Sequence, residues 1–252
     1  MKSSATHYTH KQIWLIAYPI LISLLMEQMI GITDTAFLGR VGEVELGASA
    51  IAGVYYLAIF MIGFGFTIGS QILIARRNGE EQYQAIGNIF YQGIYFLMAM
   101  SAVVFTLSQI FSDEILGFLI SSPHVRDAAA DYIHWRVFGF FFSFIGAMFR
   151  AFFVGTTQTK TLTLNSIVMV LSNVVFNYIL IFGKFGFPQL GIAGAAIGSS
   201  LAELVSVIFF IIYTWKRIDC KKYALNILPK FQSRTLKRIL NVSVWTLSLI
   251  HI

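Results

Sequence analysis

The sequence is nearly without cysteine, poor in charge, and lacks the side-chain arrangements that enzyme chemistry needs. Cys220 is the only cysteine in 252 residues and stands in a basic stretch. That excludes a disulfide framework or a cysteine metal knuckle and leaves a solvated or packed thiol. Charged residues make up 12% of the chain and hydrophobic residues 57%, which excludes an ordinary soluble domain. His7, His10, His124, His134 and His251 form no i, i+4 metal pair on an apolar helix. No Ser or Cys sits in a recognisable nucleophile turn, and no Gly-rich loop follows a strand. Neither an enzyme nor a cofactor is expected. A net charge of +6 is no nucleic-acid signal, because most basic residues lie between apolar runs or in the tail, where they set orientation.

What the chain has instead is membrane-span length. Uncharged or nearly uncharged runs cover Ile13–Leu38 and residues 46–75, 82–112, 130–155, 162–183 and 192–214, and each is about long enough to cross a bilayer as a helix. The fourth reads as one helix after a loop at Pro123, with Arg136 near its start and Arg150 near its end, both placed to snorkel. The first run follows a polar segment and is too long for a signal-peptide core, so it is expected to remain. Twenty glycines and 24 phenylalanines suit close helix contacts and lipid-facing bulk; the small-residue stretch GIAGAAIGSS, residues 191–200, predicts a close approach of the sixth span to a neighbour.

Six alternating spans divide the 18 Lys and Arg very unevenly. Only Arg40, Arg126, Arg136 and Lys184 fall on one side, so the positive-inside bias predicts that both ends are cytoplasmic. Three segments are expected: a six-helix transmembrane lobe over 1–214, a basic cytoplasmic connector over 215–240, and the start of a seventh helix, cut short, over 241–252. Within the connector, Leu236, Ile239 and Leu240 set against Arg234, Lys237 and Arg238 predict an interfacial amphipathic helix. The last six residues, LSLIHI, resemble translated adapter DNA.

The fold class is therefore an all-α membrane protein, a six-transmembrane-helix bundle, and its chemistry must lie in the polar residues at membrane depth. Glu27 and Asp34 interrupt the first span, where a charge costs about 3 kcal/mol or more against lipid. Seven residues is nearly two helical turns, so both carboxyls share one face, roughly 10 Å apart. Gln71 lies in the second span, Asn173 and Asn177 on one face of the fifth, and Ser199, Ser200 and Glu203 in the sixth. Depth along the helices puts Asp34, Asn177 and Ser199 in an outer layer and Glu27, Asn173 and Glu203 near the midplane. Oxygen ligands of this kind suit sodium, and a poorly solvated carboxyl suits a proton. Glu27 and Glu203 are expected to share a proton, in a midplane that offers acids and no Lys or Arg.

These residues carry a resemblance. Pro19 with Glu27, TDTAFLGRVGEVELGA from Thr33, the charged turn after the second span, FRAFFVGTTQTK from Phe149, SNVVFNYILIFG from Ser172 and LGIAGAAIGSSLAE from Leu190 together resemble the N-terminal half of a multidrug and toxic compound extrusion (MATE) family transporter. The resemblance implies twelve helices in two six-helix lobes, with cation binding in the N-lobe and substrate in a central cavity. By position, Asp34 matches the family's first-helix aspartate, Asn173 and Asn177 its fifth-helix pair, and Ser199 the hydroxyl of its sixth helix. It thus implies cation coupling at Asp34, Asn173, Asn177 and Ser199, with sodium at the first three, and Glu27 and Glu203 as a second polar layer or substrate site. Some members have Asp where Asn177 stands, and many have Gln at Glu27. The implied function is a secondary antiporter exporting small organic cations or drugs against sodium or protons. Its partners are membrane lipid and a missing C-terminal lobe, and its place is the plasma (inner) membrane. The alternatives are a lipid-linked precursor flippase of the same superfamily and a half-protein inactive alone.

Overall fold

Apolar runs fold as helices in a membrane because every backbone N–H and C=O must be satisfied within the segment. The computed structural model describes residues 9–250 and is all-helical there, with eight helices among the described residues: α1 (His10–Leu38), α2 (Glu43–Gly79), α3 (Tyr83–Leu119), α4 (Pro123–Arg136), α5 (Gly139–Gly155), α6 (Lys160–Phe182), α7 (Gly191–Arg217) and α8 (Ser233–Ile250). Five of them are long and apolar enough to cross a membrane, and α4 with α5, bent by 54° at the break between them, reach that length and composition only when taken together. Residues 1–8, residues 251–252 and the side chains of residues 12 and 245–250, which take in LSLIHI and part of the N-terminal basic count, lie outside the described residues.

Two expectations need correction. The fourth span is not one helix: it begins at Pro123, where a missing N–H costs nothing in the first helical turn, and breaks after Arg136. The tail is not an interfacial helix followed by a new span. One helix, α8, runs unbroken across residue 240 and packs on α2 and α3, with Ile239 fully buried and the Ser243 hydroxyl donating to the Phe66 carbonyl at 3.1 Å. The apolar face of the amphipathic pattern is buried against protein, and residues 218–232 link α7 to α8.

Aromatic packing centres the lobe on α5. Phe140, Phe144, Phe152 and Phe153 are buried there, and their rings meet those of α2 and α7, as in Tyr56–Phe140 at 4.3 Å and Phe153–Phe210 at 5.5 Å. On the other side, α1 lies along α6 and α6 along α7. The approach of α7 depends on small residues: a Cβ at Gly194 would meet the Leu180 carbonyl oxygen at 2.6 Å, so a side chain there would push two backbones apart. Pro19 inside α1 leaves that helix short of one donor, and α6 approaches at the same point, where the Thr163 hydroxyl donates to the Pro19 carbonyl at 2.9 Å.

A polar stripe on α3 ties the connector down. Gln92 donates to the Lys230 carbonyl and accepts from the Gln232 N–H, both at 2.9 Å, Tyr95 donates to the Pro229 carbonyl at 3.0 Å, and Tyr91 donates to the Leu225 carbonyl at 2.5 Å. Cys220 sits in this connector, and burial, with Asp219 beside it, pushes its thiol up, away from the reactive thiolate. Gln92→Leu removes two of the clamping bonds, each worth about 1 kcal/mol. Tryptic cleavage after Lys221, Lys222 or Lys230 is expected to accelerate about tenfold or more, with helix content unchanged. A cleavage rate equal to that of the parent protein would mean that the stripe does not hold the connector.

Candidate functional site

Three helices converge on Asp34. α1 brings the carboxylate, α6 brings Asn173 and Asn177 one turn apart, and α7 brings Ser199. The Asn177 amide donates to Asp34 Oδ1 at 2.5 Å and to Asn173 Oδ1 at 3.2 Å, the Ser199 hydroxyl donates to Asp34 Oδ2 at 3.0 Å, and the Asn173 amide donates to Ser199 at 3.1 Å. Both asparagines are fully buried. Their closeness to α7 rests on Gly198, where a Cβ would collide with Asn177 Oδ1. Asn173 thus joins the Asp34 layer instead of the midplane, because its side chain reaches along α6 toward Ser199.

Every partner of Asp34 in this cluster is neutral. That separates it from the other two carboxylates at membrane depth, and here the structure overturns the expected midplane. Glu203 receives a two-pronged hydrogen bond from Arg136, Nη2 to Oε1 at 2.6 Å and Nη1 to Oε2 at 3.0 Å. Glu27 is paired with Arg150, whose guanidinium also donates to Ser23 at 3.3 Å. The two acids each have a guanidinium of their own as partner, and neither arginine snorkels. Arg136 is 11% exposed and Arg150 16%. The helix break makes the first pair reachable: Arg136 is the last residue of α4, and Gly139 opens α5 with no Cβ to obstruct the guanidinium or Glu203.

Around the Arg136–Glu203 pair the site adds Tyr56, which the sequence did not single out. Its ring lies 3.7 Å beneath the Arg136 guanidinium, and its hydroxyl contacts Ser143 at 2.9 Å and donates to Glu203 at 3.4 Å. Such stacking satisfies a buried cation from its face while the carboxylate satisfies its edge. A further link, Asn165 to Ser206 by reciprocal hydrogen bonds of 2.8 and 3.0 Å, joins α6 to α7. The signal for Arg136 and Arg150 was present as two charges inside a span, but helix geometry alone made them look like end residues. Gln71 and Ser200 take no place around Asp34; Ser200 donates to the Ala196 carbonyl and lies 3.5 Å from Arg136.

These groups open on a cavity of about 380 Å³ between α1, α2, α5, α6 and α7, lined by Glu27, Tyr56, Phe60, Arg150, Asn165 and Glu203 among others. Aromatic walls with a few polar groups suit a small organic molecule. Both acids that line it are paired with arginines, Glu27 with Arg150 on the lining and Glu203 with Arg136 beneath it, so free acid does not define it.

The Asp34 cluster offers one carboxylate, two amide carbonyls and a hydroxyl. Among the described residues no group of three or more His, Cys, Asp or Glu is placed to hold a metal ion, so a transition-metal centre is not what the donors suit. A hard monovalent cation is different: Asn177 Oδ1 is buried with no hydrogen-bond partner, an acceptor left over beside an anion. Asp34 with the carbonyls of Asn173 and Asn177 fits sodium by donor chemistry.

The fold and the sequence have clear relatives. The NorM protein of Mannheimia succiniciproducens, described as a probable multidrug resistance protein, is 26% identical over 93% of this chain and 50% of its own length. The Bacillus subtilis protein of the same description is 27% identical over 93% of this chain and 52% of its own. Among solved structures, a multidrug resistance MATE transporter in an outward-facing conformation matches with a TM-score of 0.80 at 18% identity, over 96% of this chain and 56% of that one. The eukaryotic MATE transporter AtDTX14 matches with 0.80 at 21%, over 94% and 51%. The chain spans about half the length of the curated relatives it matches. Residues 19–179 match the MatE family model, a stretch that takes in Glu27, Asp34, both arginines and both asparagines, and the chain belongs to the MatE family of multi-pass membrane transporters.

Proposed function

We propose that this chain is the N-terminal lobe of a secondary antiporter that exports amphiphilic organic cations in exchange for sodium ions or protons, with Asp34 as the coupling group. The observation that carries the reading is the set of partners around the three carboxylates. Glu27 and Glu203 each have an arginine, whereas Asp34 has hydrogen bonds from amides and a hydroxyl alone. A carboxylate at membrane depth that is not itself half of an ion pair is the one whose charge an incoming ion can cancel.

Sodium would be held by Asp34 with the carbonyls of Asn173 and Asn177 and the Ser199 hydroxyl; a proton would sit on Asp34 itself. Sodium, when bound, supplies one positive charge that makes the cluster neutral. The Asn177 amide now donates to Asp34, and a half-turn about its last torsion would exchange that donor for its unpartnered oxygen, changing the cluster from anion-stabilising to cation-holding. Exchange requires that loaded and empty forms favour different lobe arrangements, since an ion shifts an equilibrium only by its differential affinity.

The substrate would lie in the aromatic cavity, and the paired charges there change how a cation is selected. A cationic substrate approaches Glu27 or Glu203 by competing with an arginine, and it gains most from the faces of Tyr56 and Phe60. Both chain ends would be cytoplasmic and the membrane a plasma (inner) membrane. Removing the buried Arg136 and Arg150 from the loop charges leaves that bias with the same sign. A second lobe would supply the opposite cavity wall.

The test uses the complete two-lobe transporter in sealed vesicles loaded with a fluorescent organic cation. An inward sodium gradient at equal pH, or an inward proton gradient without sodium, is expected to accelerate efflux, and one of the two is expected to dominate. Efflux indifferent to both gradients would overturn the antiport reading.

A further inference from the structure

A second cavity, of about 550 Å³, lies far from Asp34 where α2 ends, α3 begins and α8 begins. Its floor includes Leu73 and Ile89, both nearly buried, and its rim carries Arg77 from α2 with Arg234, Lys237 and Arg238 from α8. No carboxylate lines it. Nearby, Glu80 holds both Arg76 and Arg77, at 2.8 and 2.7 Å, and the Arg76 hydrogen bond holds its carboxyl below the usual glutamate value. Among the described residues, no ion pair is recorded for Arg234, Lys237 or Arg238.

This arrangement is unfavourable for the fold by itself. Residues 234, 237 and 238 are three and four apart, so their like charges face each other across one helical turn. They also stand in the opening turns of α8, where the helix dipole is already positive and disfavours cations. All three side chains are exposed, yet the backbone that presents them is held firmly. Asn88 on α3 donates to Gln232 at 2.8 Å, Gln92 fixes the residues just before the helix, and Ser243 anchors the helix to α2. Four cations are thus held around one hollow with an apolar floor, and while Arg77 shares Glu80 with Arg76, the three on α8 have no carboxylate lining the hollow to balance them.

We propose that this hollow is a binding site for a phosphate group, and that the ligand is an anionic phospholipid whose headgroup sits among Arg77, Arg234, Lys237 and Arg238. The phosphate oxygens match the donors, since guanidinium groups bind them in two-pronged fashion. Basic pockets between transmembrane helices are a recurring way to hold such headgroups. The lipid source follows from the neighbourhood. α8 descends antiparallel to α2, and Ile72 on α2 and Val244 on α8, 45% and 62% exposed, offer apolar surface along which tails can run. A bound headgroup would bridge α8 to the α2–α3 turn, the join through which the second lobe would be connected.

The experiment is native mass spectrometry of the full chain in detergent, titrated with phosphatidylglycerol, phosphatidylcholine and inorganic phosphate. The parent protein is expected to retain one phosphatidylglycerol in clear preference to phosphatidylcholine. The triple variant R234Q/K237Q/R238Q is expected to bind phosphatidylglycerol about a hundredfold more weakly, the effect of losing three cations near a headgroup. A control variant that removes three cations outside the hollow, K216Q/R217Q/K221Q, is expected to keep it, and the charge-conserving R234K/R238K to keep most of it. Millimolar inorganic phosphate leaves the lipid in place if the site reads a lipid; displacement would assign the same phosphate site to a soluble anion. Undiminished retention in R234Q/K237Q/R238Q, or equal loss in the control, would overturn the site.

Discussion

Asp34→Asn in the complete transporter is expected to leave insertion and folding nearly intact and to reduce ion-driven efflux to the passive leak. Asparagine keeps the size of the side chain and can still accept from Ser199, but it is neutral in every state, so neither sodium nor a proton changes its charge. Coupling free energies between two sites are about 1–3 kcal/mol, a factor of about 5–150, and losing that factor removes the advantage of a gradient. The measurement is efflux of a fluorescent organic cation from energised vesicles, with expression and melting temperature recorded alongside. Gradient-driven efflux at the parental rate from well-folded Asp34→Asn protein would rule out the coupling role. Because a single carboxylate is held there by neutral groups, no neighbouring acid is placed to substitute for it.

The second large effect is on stability and concerns the buried Arg136–Glu203 pair at the cavity wall. Arg136→Met leaves the buried Glu203 with only the long Tyr56 contact, and removing one member of a buried pair costs about 3–5 kcal/mol. For a chain of this size that corresponds to a fall of roughly 10 °C in melting temperature. Replacing both, Arg136→Met with Glu203→Leu, is expected to recover most of it, since an ion pair exchanged for apolar groups of similar volume is often close to neutral. A double variant as unstable as the single one would show that packing of the Arg136 guanidinium on Tyr56, and not the stranded carboxylate, sets the effect. The exposed partners Arg76 and Glu80 serve as the contrast: solvent screens such a pair, so separating it is expected to change stability little.

The spans and the Asp34 cluster could be read from the residues because both depend on local rules. An uncharged run of sufficient length has one stable conformation in a membrane, a helix, and residues four apart such as Asn173 and Asn177 share a face wherever that helix lies. The family resemblance added which helices meet, which spacing cannot say. The arginine partners were beyond reach. Arg150 stands 123 residues from Glu27, and Arg136 stands 67 from Glu203. A charge inside a span either snorkels or finds a partner, and both outcomes have the same sequence. Which one occurs depends on how α4 and α5 are rotated on either side of the 54° bend, a bend that Gly139 permits and no proline announces.

The sequence by itself determined that the chain crosses a membrane several times as helices, that three carboxylates lie at membrane depth, and that α7 meets a neighbour through small residues. These follow from hydropathy and helical period, which act residue by residue. Only the tertiary structure decided which carboxylates are neutralised. Pairing depends on side chains from distant helices arriving within about 3 Å of each other, so two of the three acids proved to be half of an ion pair and one kept a neutral shell. The same holds for the basic hollow at α8: its cations are visible in the chain, but their closure around one space with Arg77 is set by the clamp that α3 places on the connector.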